Sequence, residues 1–168
     1  MAQKIPAGAL IFKMDAKTVK KELEELGKKY NLHIKELDKE LELIDTLAKR
    51  REFPEFPLRI IRRRLVDIHL LWINYLHSFI FPNPQSIVII KEAEAFDDKE
   101  KDEIYKLMVK FAKATRESVV FEIKRDDEKE AEFIKTSFEN FKKIKKQLEP
   151  FAEKNIEFWR KESEKDNE

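Results

Sequence analysis

An all-α bundle of about five or six helices is the fold class this sequence predicts, and three observations predict it. The 168 residues include only 2 glycines and 6 prolines, so few positions favour sharp turns. Apolar residues recur in steps of three and four, the spacing of a single helical face. The stretch 58–81 is the most apolar in the chain, and from Leu65 onward nearly everything outside one narrow stripe is apolar, as expected of a central helix touched on several sides. With 42% hydrophobic residues and 13 phenylalanines there is material for a packed interior despite 41% charge. One helical domain over residues 1–168 is expected, with an N-terminal arm at 1–14 and a frayed polar tail at 161–168.

The elements follow in order. Asp15 is an N-cap candidate, and Val19, Leu23, Leu26, Tyr30, Ile34, Leu37, Leu41 and Ile44 trace one stripe. Gly27 and Asn31 are the places where 16–50 divides into two helices, if it divides. Pro54 and Pro57 interrupt, and Pro57 suits the first position of the next helix. Pro82 and Pro84 stop that helix. Asp97 or Asp98 caps a further helix, along which Ile104, Leu107, Phe111, Ala114, Ser118 and Phe121 keep a heptad-like spacing. Ile134, Phe138, Phe141, Ile144 and Leu148 continue a helical face to Pro150, and a short last helix follows. The alternative is an α+β fold, with a small sheet built from 9–13, 87–90 and 119–123, where β-branched residues cluster.

Lys and Arg number 35 against 34 Asp and Glu, so the whole chain exerts no net pull toward nucleic acid or anionic lipid. The absence of cysteine excludes disulfides, thiolate metal sites and cysteine catalysis, and predicts a reducing, cytoplasmic setting. Abundant Lys and Glu resemble the composition trend of thermophile proteins. The first fourteen residues lack the long apolar run of a signal peptide. Three arginines precede the apolar stretch, yet Asp67, His69, Asn74 and His77 inside it argue against a membrane span.

Arginine is unevenly placed: six of the nine lie between Arg50 and Arg64. Arg50, Arg51, Arg59, Arg62, Arg63 and Arg64, with Phe53 and Phe56 between them, form a candidate anion or nucleic-acid site. The reasoning is that guanidinium forks grip phosphate while aromatic faces stack on bases. The bland alternative is internal or intersubunit pairing with the acidic stretch 91–103, which holds seven acids against three lysines. Phe53 and Phe56 would then plug the core beneath the loop.

Arg64 and His69 have the R-x4-H spacing, which resembles the catalytic motif of HEPN-type helical ribonucleases. The resemblance implies an acid or base role for His69, a phosphate clamp at Arg64, and a dimer acting on RNA. The polar residue that usually follows the motif arginine is Leu65 here. On a helix the two side chains diverge by about 140°, and His69 falls among Leu65, Trp72, Ile73 and Leu76. Such surroundings suit a buried neutral imidazole. His69 and His77 stand more than two turns apart, too far to share a metal from one helix. No metal or cofactor is expected, and neither glycine belongs to a phosphate loop. The leading functional expectation is therefore a non-catalytic helical interaction or scaffold protein, self-associating through a heptad-like face or binding a protein partner. Nucleic-acid binding through Arg50–Arg64 is the second expectation.

Overall fold

Asn31 ends the first helix by entering the left-handed region at φ 53°, a conformation that asparagine tolerates better than most residues. The computed structural model describes residues 13–165. Among them every regular element is helical, and the chain divides into two compact units, one running through Ile61 and the other beginning at Arg62.

The first unit holds α1 (Ala16–Tyr30), α2 (Ile34–Leu41) and α3 (Leu43–Ala48), followed by the start of α4 (Pro57–Ile80). The amides of Asn31 and Leu32 both donate to the Gly27 carbonyl, closing the end of α1. Gly27 itself stays inside the helix. A Cβ there would lie 2.6 Å from Ile34 Cγ1, so glycine is required by close packing rather than by a turn. A second break, which apolar spacing does not reveal, falls at Glu42, at φ 51°. The Asp38 carboxylate accepts from the Ile44 amide at 2.8 Å and so organises the restart. Thus 16–50 forms three helices, and Val19, Leu23, Leu37, Leu41, Leu43 and Leu47 are buried.

In the second unit α4 continues to Ile80, followed by α5 (Ile87–Glu94), α6 (Asp98–Ser118), α7 (Val120–Ile123) and α8 (Asp127–Lys165). Asp97 caps α6 in a reciprocal box: its carboxylate accepts from the Glu100 amide at 2.8 Å, and Glu100 accepts from the Asp97 amide at 2.9 Å. Ile104, Leu107, Phe111 and Ser118 are buried, and α6 packs on α8 and α7. The heptad-like face of α6 is therefore covered by the chain itself rather than left for a partner.

The small sheet of the alternative fold does not form. Residues 87–90 and 119–123 are helical among the described residues, while 9–12 lie outside them and Lys13 belongs to no strand. At 87–90 the Ser86 hydroxyl accepts from the Ile89 amide at 3.4 Å, starting a helix that buries Ala93; Phe96 is buried just beyond it. A local cap and helical burial thus outweigh the strand preference of four β-branched residues.

Pro150 does not end a helix: α8 runs through it for 39 residues. The exposed Pro150 costs the helix one amide donor, but the residues beyond it are anchored repeatedly. Phe151 meets Phe96 at 6.3 Å, Lys154 pairs with Glu100 at 2.5 Å, and the Trp159 indole donates to Glu92 at 2.9 Å. Residues 161–165 continue the helix, and 166–168 lie outside the described residues.

Candidate functional site

Along α4 one side is buried and the other is not. Leu65, His69, Leu76 and Phe79 are enclosed, whereas Leu70 is 42% and Leu71 63% exposed. Helical spacing sets Asp67, Leu70, Leu71, Asn74 and His77 on that open side, and all five are exposed. Phe81, 56% exposed, is tied to the last turn by its amide, which donates to the His77 carbonyl. The helix therefore presents a mixed apolar and polar face.

The arginine cluster is divided. Arg50, Arg51 and Arg59 belong to the first unit and Arg62, Arg63 and Arg64 to the second. Arg50 and Arg51 are exposed, Phe53 and Phe56 half-buried, and the Arg59 guanidinium lies 5.9 Å from the Phe56 ring centroid. Arg62, by contrast, is 2% exposed and committed. Its Nε donates to Glu130 at 2.5 Å, its Nη1 to the Ser118 carbonyl at 3.1 Å, and its Nη2 to Glu122 at 2.5 Å. Arg63 adds a two-pronged contact to Glu122 at 2.9 and 2.8 Å. Arg62 and Arg63 thus make their recorded pairs with Glu122 and Glu130, not with the acidic stretch 91–103. Of those acids, Glu100 and Asp102 pair with Lys154 and Lys106.

The double guanidinium grip sets the electrostatics. Hydrogen bonds from Arg63 and then Arg62 hold the Glu122 carboxyl at a pKa of about 2. The Arg63 guanidinium is stabilised in turn, chiefly by its hydrogen bond to Glu122.

His69 occupies a different environment. Its ring lies 5.1 Å from that of Phe111 and 5.9 Å from that of Phe141, and it is 2% exposed. Neither ring nitrogen has a hydrogen-bond partner among the described residues. Burial lowers its pKa to about 4, so the imidazole is neutral near pH 7. That environment favours the buried neutral histidine over the acid or base implied by the HEPN resemblance.

The same imidazole lines a cavity of about 380 Å³ walled by α6 and α8. Phe111, Ile144 and Ser137 are its buried liners, while Lys110, Lys113 and Lys143 stand at its exposed edge. Lys110 reaches Gln147 at 3.4 Å and Lys113 reaches Glu117 at 3.6 Å. Sequence spacing could not have found this site, because His69 is separated from its α6 and α8 neighbours by about forty or more residues.

Among the described residues no group of three or more His, Asp or Glu is placed to hold a metal ion. None of their helices is long and apolar enough to cross a membrane. Compared with known proteins, the chain matches no family model, no curated protein and no solved structure.

Proposed function

We propose that this chain is a non-catalytic helical interaction protein that associates with a second copy of itself through the open side of α4. The observation that carries the reading is the exposure of Leu70 and Leu71, 42% and 63%, in the middle of the long, largely apolar α4. Large exposed apolar side chains grouped on one face, with polar groups among them, are typical of protein-binding surfaces. The net charge of +1 leaves little long-range repulsion between copies. A two-fold antiparallel packing centred near Trp72 sets Asp67 of one copy opposite His77 of the other, a complementary pairing. The cysteine-free composition supports a reducing, cytoplasmic setting for such an assembly.

Sedimentation velocity over a hundredfold concentration range tests the reading. A dimer that Leu71→Glu converts to monomer is expected; a wild-type monomer throughout the range overturns it.

The Arg59–Phe56 stacking, beside exposed Arg50 and Arg51, favours a second reading: binding of single-stranded nucleic acid by the first unit. Affinity that falls steeply with salt and is lost in an Arg50→Ser/Arg51→Ser variant is expected. Salt-independent or unchanged binding removes it.

A further inference from the structure

The geometry points to the cavity between α6 and α8 as a binding site for a small organic acid with a flat apolar body and a hydrogen-bonding group at its inner end. This assignment is independent of the proposed self-association, since it uses the opposite, buried side of α4.

Three observations carry it. The first is size: about 380 Å³ lies within the range of ordinary small-molecule sites, roughly 300–1,000 Å³, and above what one or two waters need. The second is the order of groups from the surface inward. Lys110, Lys113 and Lys143 are exposed at the edge, and Glu117 is the one acid among the described lining residues. The edge therefore favours an anion. Phe111 and Ile144 are buried inside and offer an apolar slot, with the half-buried Phe133 beside them. A doubly charged or fully polar ligand would leave that slot badly matched, whereas a planar ring fills it.

The third observation is His69. Burying an imidazole with neither nitrogen hydrogen-bonded is costly, and such a group calls for an explanation. Phe111 and Phe141 give it ring contacts but no acceptor or donor. The cavity that His69 lines also holds Ser137, 5% exposed, so two inner polar groups face one space. A neutral imidazole can donate from one nitrogen or accept at the other, which suits a hydroxyl that does both. A phenolic acid such as 4-hydroxyphenylacetate combines the three features: carboxylate toward the lysines, ring in the slot, hydroxyl toward His69 after a small turn of the imidazole. Phenylacetate lacks only the inner group, and 4-hydroxybenzyl alcohol keeps the phenol but carries a neutral hydroxyl in place of the carboxylate.

Isothermal titration of the full chain with these three probes separates the contributions. Saturable binding of 4-hydroxyphenylacetate is expected, with phenylacetate and 4-hydroxybenzyl alcohol each at least tenfold weaker. Lys143→Glu, a surface change, should weaken the acid at least tenfold, and Ala114→Trp, at the cavity wall, should abolish binding. His69→Phe should erase the preference for the phenol over phenylacetate. Failure of both acids to bind at millimolar concentration overturns the assignment, as does binding that Lys143→Glu and Ala114→Trp leave unchanged. Since both variants alter half-exposed or exposed positions, the outcome stands even if His69→Phe does not fold.

Discussion

Arg62 Nε and the Glu130 carboxylate meet at 2.5 Å with side chains only 2% and 5% exposed, an ion pair formed out of reach of water. Removing Glu130 leaves Arg62 Nε buried without its acceptor, while Glu122 still balances the guanidinium charge. Glu130→Ala should therefore destabilise the protein by about 1–3 kcal/mol in denaturant titration, the cost of a buried donor left without its acceptor. Replacing both, as Arg62→Met/Glu130→Leu, should recover most of that loss, because two apolar groups bring no unpaired charge. A double variant as unstable as the single one would refute this account of the pair.

Glu122 gives the protein an acid-labile contribution. Its folded pKa, about 2, lies below the ordinary value of 4.5, so folding favours the ionised form. The stabilisation is complete above about pH 4.5 and is lost as pH falls through about 2. In Glu122→Gln, the slope of stability against pH should be flatter in that window and unchanged above pH 5. An identical slope in wild type and variant would exclude the effect.

His69 acts in a higher window. Its folded pKa of about 4 is below the ordinary 6.5, so between these values the unfolded chain binds a proton that the folded chain does not. Stability should decline as pH falls from 6.5 to 4 and be free of this penalty above 6.5. Replacement by phenylalanine, which titrates nowhere, should remove that decline and add about 1 kcal/mol at pH 7 by eliminating an unsatisfied buried group. Chemical denaturation at pH 5 and pH 7 checks both effects.

Glu42 holds a left-handed backbone angle, φ 51°, that an L side chain adopts at a cost. Glu42→Gly should raise stability by about 0.5–1 kcal/mol, glycine's freedom in the unfolded chain offsetting part of the relief. A lower unfolding midpoint would contradict it.

Much of the fold is legible in the sequence because it rests on local chemistry. Pro57 at a helix start, Asp97 three residues before Glu100, and the three-and-four spacing through Leu23 or Ile134 each encode their outcome nearby. The break at Glu42 is hidden because glutamate carries no turn signal, and the Asp38 side chain that supports the restart acts across six residues. At the candidate sites legibility falls further. Six arginines look alike in a string, yet Arg62 is spent on Glu122 and Glu130, sixty and sixty-eight residues away. The burial of His69 is readable from its apolar neighbours on α4, but the cavity beside it depends on α6 and α8.

Pro150 sits within α8 and has no amide hydrogen to give, so the carbonyl of Lys146, four residues back, lacks its usual helical donor. Cooperativity along a helix passes from one such bond to the next. The thirty-nine residues are thus two hydrogen-bonded stretches of one helix, and deuterium should enter the amides after Pro150 on a different clock from those before it.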